Sequence, residues 1–270
     1  MKLTSIENIH CPELEIYNKF KKHAFLSDNS FLADSPKVVN FLLERNLQIK
    51  SILATQEYYD QNTALIKSKN IETLYVTDKK EMEKIVGHSL HHNCMMHGIR
   101  PDETPLTELD NHILMLDAIS STENVGSLSR SAAALGVNSL LVPSNGPHPY
   151  GRRSLRVSMG YVNRLKLHVY DDIMVTIQKL KDMNYKIFAA EITENSIPLM
   201  NVEVPEKWVL LMGHEGDGIS KEILAICDEV VHIEMQDGIK SFNVAVAASL
   251  LMYQFKHKEV LLGTKMALSL

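Results

Sequence analysis

Apolar residues in the first hundred positions alternate between helical and extended spacing. After Ser35-Pro36, Val38, Val39, Leu42 and Leu43 recur on one helical face, which predicts a helix as far as Arg45. Ile49 to Ala54 then reads as a strand, Tyr58 to Ser68 as a helix and Thr73 to Thr77 as a second strand. Asp78 is placed to cap a further helix over Met82, Ile85 and Val86. Together these elements make a small α/β module. Gly98-Ile99-Arg100-Pro101-Asp102-Glu103-Thr104-Pro105 follows with two prolines, a glycine and scarce apolar content, the marks of a linker. The boundary is expected there, with one domain over 1–103 and another over 104–270.

Beyond the linker, strand and helix alternate strictly. Strands are expected at Ile113 to Leu116, Ser139 to Val142, Lys186 to Ala190, Trp208 to Met212 and Val230 to Ile233. Helices are expected at Val125 to Leu135, at Asp171 to Met183, and over Ile223, Leu224 and Ile226 behind a Ser220 cap. Short apolar strands separated by helices imply a mostly parallel sheet covered on both faces. The last helix differs from the others. From Val244 to Tyr253 it carries no charge and is apolar on every side, so it is expected to be buried all round, under a covering layer or a second copy of the chain. Its small residues Ala245, Ala247, Ala248 and Ser249 permit another helix to approach closely.

Composition narrows the class without naming a function. At 270 residues the chain can hold two cores, and its 45% apolar content is that of a globular protein. A net charge of −5 does not announce a nucleic-acid binder, so affinity for RNA must come from local basic patches. Cys11, Cys94 and Cys227 are odd in number and far apart, which fits a reducing compartment, and the cytosol is expected. No secretory signal opens the sequence, and no apolar run approaches the ~20 residues of a membrane span.

Candidate chemistry concentrates at three strand exits of the second domain. The first runs from Ser121 to Arg130, with Asn124 at a helix start, Gly126 allowing close approach and Arg130 a turn and a half further in. The second, Gly213-His214-Glu215-Gly216-Asp217-Gly218-Ile219, sets three glycines around Glu215 directly after an apolar strand. In the third, Ser241-Phe242-Asn243 caps the final helix and aims its free N–H groups beyond the strand ends. Ligands of open α/β sheets sit beyond the carboxyl ends of strands, so three such loops can line one pocket. Neither the dinucleotide glycine fingerprint nor a Gly-Lys-Ser/Thr phosphate loop is present.

In order and in spacing, these loops resemble the three signature motifs of the SpoU/TrmH family of RNA ribose methyltransferases, in the SPOUT class. Asn124, Gly126 and Arg130 match the first motif, Gly213, Glu215, Gly216 and Gly218 the second, and Ser241, Phe242, Asn243 and Val244 the third. Arg156-Val157-Ser158-Met159-Gly160 looks like the family's stretch between the first two motifs. Phe31-Leu32-Ala33-Asp34 to Arg100-Pro101 is similar to the ribosomal-protein-like module that many members use for RNA recognition. Departures are Phe242 for leucine, Glu234 for proline, Asp237 for glycine and His214 for asparagine.

The resemblance implies an α/β fold with a small N-terminal RNA-recognition module and a C-terminal parallel-sheet α/β-knot domain tied in a trefoil. It implies transfer of a methyl group from S-adenosylmethionine to a ribose 2′-hydroxyl of tRNA or rRNA by a homodimer. Arg130, Asn124, Glu215, Ser241 and Asn243 would be its catalytic residues, with Arg130 clamping phosphate and the other four orienting it and the ribose. Met212, Gly213, Gly218, Ile233, Met235 and Phe242 would hold the cofactor. Arg152, Arg153 and Arg156 head the densest basic cluster, which continues to Arg164 and Lys166, and are expected on RNA phosphates; Lys19, Lys21 and Lys22 form a smaller one. His88, His91, His92, Cys94 and His97 match no closed zinc spacing and read as a loop beside the linker, so no metal is expected. The alternative is a non-catalytic RNA-binding or ribosome-assembly protein on the same fold.

Overall fold

The computed structural model describes residues 2–6, 8–18 and 28–267, with side chains through His257; Lys19, Lys21 and Lys22 lie outside them. The chain divides into two compact units, Met1–Asp102 with His148–Asn163, and Glu103–Pro147 with Arg164–Leu270. A single cut at 103/104 therefore does not separate them. The segment 148–163 leaves the second stretch of sequence and packs in the first unit.

The first unit is built on β1 (Thr4–Ser5), β2 (Ser30–Asp34), β3 (Gln48–Ala54), β4 (Ile71–Val76) and β5 (Cys94–Ile99), in the order β1-β4-β3-β5-β2. β1, β4 and β3 run parallel, and β5 is antiparallel to both β3 and β2. Its helices are α1 (Glu15–Asn18), α2 (Pro36–Leu43), α3 (Gln56–Gln61), α4 (Thr63–Lys67) and α5 (Lys79–Val86). Asp78 caps α5 by accepting from Glu81 N at 2.9 Å. The single helix expected over 58–68 is two, because Asn62 leaves helical geometry at φ −118° between α3 and α4. The loop expected over 88–97 is half strand. Cys94 to Ile99 lies between β3 and β2, so the linker begins only after buried Arg100, whose N–H bonds Asn29 O at 2.9 Å.

The second unit has, among the described residues, seven strands in one all-parallel sheet. They are β6 (His112–Leu116), β7 (Ser139–Pro143), β8 (Lys166–Tyr170), β9 (Lys186–Ala190), β10 (Ile197–Pro198), β11 (Trp208–Met212) and β12 (Glu229–His232). Their order is β10-β12-β9-β11-β6-β7-β8. β11 enters late between β9 and β6, which brings the exits of the first and second candidate loops side by side. Of the remaining helices, α7 (Arg152–Val157) lies in the 148–163 segment of the first unit, while α6 (Thr122–Leu135), α8 (Ile173–Asp182), α9 (Lys221–Ile226) and α10 (Val244–Ala267) belong to this one. Strand and helix residues such as Ile113, Leu141, Ile177, Ile187 and Leu211 share one buried core.

α10 corrects the expectation of a helix buried all round. Val244, Ala245, Ala248, Leu251, Met252 and Phe255 are buried, and the Ser249 and Ser131 hydroxyls meet at 2.8 Å where α10 crosses α6. The small residues thus admit a helix of the same chain. The opposite stripe stays open: Val246 is 47%, Leu250 42% and Tyr253 53% exposed.

Candidate active site

The C-terminal ends of β9, β11 and β12 open onto a cavity of about 610 Å³. That volume lies within the roughly 300–1,000 Å³ of small-molecule sites. Met212, Gly213, Gly218, Ile233, Met235 and Phe242 all line it, as do Asn124, Glu215, Ser241 and Asn243. The three loops, far apart in sequence, therefore meet at one place.

A directional chain of hydrogen bonds joins them. Asn243 Oδ1 accepts from Ala245 N at 2.9 Å and Val246 N at 3.4 Å, capping α10, so the other side of its amide must be the donor. That Nδ2 donates to Asn124 Oδ1 at 3.0 Å. Asn124 is left with its own Nδ2 facing outward, and it donates to Glu215 Oε1 at 2.8 Å. Each amide has one orientation that satisfies all its partners. Asn124 is not itself the cap of α6, as a helix start there implied; Ser121 Oγ accepts from Asn124 N at 3.2 Å and does that work three positions earlier, just before the helix.

Glu215 ends the chain of bonds. Its carboxylate also accepts from Ser120 N, Ser120 Oγ and Ser121 N, all at 3.3 Å. Partial burial alone would raise its pKa, but the Asn124 amide and the backbone N–H groups of Glu215, Ser120 and Ser121 outweigh that and hold it at about 2. A carboxylate so acidic stays ionised at neutral pH and is a poor proton acceptor.

Two glycines shape the second loop. A Cβ on Gly213 would stand 2.4 Å from Ile219 Cγ1, and one on Gly218, whose φ is +70°, would collide with Glu191 Oε2. Glu191 fills that space because its oxygens accept from Ile192 N at 2.8 Å and Ile219 N at 3.1 Å. His214 closes the turn. Its Nδ1 accepts from Gly216 N and Asp217 N, each at 3.1 Å, as an asparagine oxygen does in an Asx turn. In that tautomer the proton is on Nε2, so the 3.3 Å approach of Nδ1 to the exposed Asp217 carboxylate is not an ion pair.

The structure separates the arginines from this cavity. Arg130 is exposed on α6, about 9 Å along the axis from Asn124 at 1.5 Å per residue, and none of its donors is engaged among the described residues. It does not contact Glu215, Asn124, Ser241 or Asn243, so these residues do not orient it here. Arg152 and Arg156 bind the buried Asp34 at 2.7 and 3.3 Å within the first unit, on the same short helix as Arg153. The reading of residues missed Glu191 and Lys240, which also line the cavity. Lys240 adjoins the third motif, whereas nothing in the local pattern marks Glu191 at the end of β9.

The family model of the SpoU rRNA methylases matches residues 111–253. The chain belongs to this family. A protein of Staphylococcus saprophyticus described as a TrmH family tRNA/rRNA methyltransferase is 30% identical over 153 residues, 57% of this chain and 61% of that protein. The chain thus spans about three fifths of the length of the curated relatives it matches. The AdoMet-bound rRNA methyltransferase of Sinorhizobium meliloti superposes with a TM-score of 0.81 at 18% identity, over 94% of this chain and 98% of that one. A crystal structure of an RNA 2′-O ribose methyltransferase gives 0.75 at 19% identity, over 96% and 100%. At such identities the likeness is one of fold, a mixed α/β SPOUT architecture with a parallel sheet.

Proposed function

We propose that this SpoU-family protein transfers a methyl group from S-adenosylmethionine to a ribose 2′-hydroxyl of tRNA or rRNA, acting as a homodimer in the cytoplasm. The observation that carries this reading is the Asn243–Asn124–Glu215 chain of hydrogen bonds, which draws all three motif loops to the wall of one cavity. The family relatives named for tRNA/rRNA methylation, an AdoMet-bound neighbour of the same fold and a 2′-O-ribose neighbour support the cofactor and the reaction. We also take the crossing of β11 and the return of α10 onto α6 to be the family's trefoil knot.

The cavity suits a cationic ligand with an apolar tail. Met212, Val244 and Leu251 are among its apolar lining residues, and two acids, Glu215 and Glu191, line it with one amine, Lys240. S-adenosylmethionine, when bound, supplies the methyl group on a positively charged sulfur. The ionised Glu215 favours that charge electrostatically and, through Asn124 and Asn243, fixes the two helix starts that face the ribose. Ser241, exposed beside the cavity, offers a hydroxyl to the nucleotide. Arg130 keeps five donors for an RNA phosphate and for the charge that develops on the ribose oxygen; a guanidinium at neutral pH is a clamp and not a base.

The exposed stripe of Val246, Leu250 and Tyr253, next to exposed Phe242, is the surface we assign to the homodimer. The first unit we assign to RNA recognition. A thermal-shift titration tests the cofactor: saturating S-adenosylmethionine should raise the melting temperature, since a ligand of the folded state stabilises by RT ln(1 + [L]/Kd). An unmoved melting temperature at millimolar cofactor would remove the basis for the reading.

A further inference from the structure

Glu191 stands directly after β9, outside all three motif loops, and its backbone N–H bonds Val231 O at 3.1 Å. The sheet thus carries this acid to the edge of the main cavity, which it lines. Its carboxylate is held from two loops: one oxygen accepts from Ile192 N at 2.8 Å and the other, Oε2, from Ile219 N at 3.1 Å. Gly218 leaves the space that Oε2 occupies, since a Cβ there would collide with that oxygen. Two backbone donors and one missing Cβ fix both the place and the orientation of the acid.

A carboxylate has about four acceptor sites, and these two bonds use half of them. Neither oxygen has a further partner among the described residues. An acid fixed on a cavity wall with acceptor sites to spare favours ligands that bring donors. We infer that Glu191 reads the ribose of S-adenosylmethionine by accepting from its 2′- and 3′-hydroxyls, an inference that rests on the function proposed above. A vicinal diol presents two donors side by side, one for each carboxylate oxygen. The adenine amine presents its donors on a single atom. The ammonium of the methionine end brings its own carboxylate with it, which the acid would repel. An internal RNA ribose offers one hydroxyl, because its 3′ oxygen is esterified. In dinucleotide folds, too, an acid takes the ribose hydroxyl. The motif glycine Gly218 then serves the cofactor indirectly, because any side chain at that position displaces the acid that reads it.

Isothermal titration with S-adenosylhomocysteine and with its 2′,3′-dideoxy analogue tests the inference; neither ligand carries a transferable methyl group, so binding alone is read. The wild type should bind the parent ligand about tenfold or more tightly than the dideoxy analogue. Glu191→Gln, which keeps one acceptor oxygen, should narrow that ratio, and Glu191→Ala should bring the two affinities together. If either variant is too unstable to bind, Gly218→Ala, which keeps the acid but displaces it, should narrow the ratio as well. Variants that weaken both ligands equally and preserve the wild-type ratio would assign Glu191 to the shape of the loops alone and overturn the inference. Equal affinity of the wild type for the two ligands overturns it without any variant, and leaves the cofactor assignment standing. A wild type that binds neither ligand contradicts the cofactor assignment itself.

Discussion

Asn243 and Asn124 lie 119 positions apart, yet Asn243 Nδ2 donates to Asn124 Oδ1 at 3.0 Å while its own oxygen caps α10. One side chain thus both starts a helix and fixes the motif that follows another strand. Asn243→Asp retains the capping oxygen but sets an oxygen against Asn124 Oδ1. It should change the melting temperature little and cut turnover at least tenfold, with Asn124 released from Glu215. Asn243→Ala should lose both functions, costing about 1 kcal/mol for the cap as well as turnover. Thermal melts and initial rates on the two variants separate the roles.

Glu215 gives the site an acid limit. Its folded pKa is held at about 2, below the ordinary 4.5, so the stabilisation is complete above pH 4.5 and disappears as pH falls towards 2. The melting temperature of the wild type should therefore decline through that window more steeply than that of Glu215→Gln. Parallel curves for the two proteins would show that the carboxylate's bonds contribute nothing.

Gly218 and Glu191 occupy one space. Gly218→Ala should destabilise by about 1–3 kcal/mol, because a Cβ both strains the +70° φ and displaces the carboxylate. Glu191→Ala alone loses the bonds to Ile192 N and Ile219 N, so in that background Gly218→Ala should cost less than in the wild type, because the strain remains and the collision does not. Differential scanning calorimetry on the wild type, both single variants and the double variant measures it.

His214 should tolerate asparagine and not alanine. Asn can supply the acceptor that holds Gly216 N and Asp217 N, whereas Ala leaves the turn without it. Isothermal titration should give near-wild-type cofactor affinity for His214→Asn and at least tenfold weaker affinity for His214→Ala.

Leu250→Glu tests the open face of α10. Leu250 is 42% exposed and does not line the cavity, so the variant should keep its fold and its cofactor affinity but run as a monomer in light scattering where the wild type runs as a dimer. A wild-type monomer at micromolar concentration would sink the assignment.

The second unit was more legible in sequence than the first, for reasons visible in particular residues. Lys186–Ala190 and Trp208–Met212 fall where the apolar runs end because a strand buried on both faces needs such a run and nothing else. Cys94–Ile99 escaped because His97 and Gly98 are poor strand formers; pairing with β2 and β3 on both sides overrides their preference. Spacing brought out Asn124, Glu215 and Asn243, since each sits beside a strand exit and a helix start. Their hydrogen bonds to one another depend on strand order, which periodicity does not encode. The same limit hid the pairing of Arg152 and Arg156 with Asp34, 118 and 122 positions away. It also hid Glu191, whose meaning lies in the glycine across from it.

The most direct test of the proposed reaction is the chemical position of the transferred methyl group. RNA incubated with the protein and methyl-labelled S-adenosylmethionine is hydrolysed completely in alkali, which needs a free 2′-hydroxyl to cut the neighbouring phosphodiester. The account predicts label in alkali-resistant dinucleotides, lost with Arg130→Ala. Label released as mononucleotides would place the methyl on a base and contradict it, as would the absence of label from RNA.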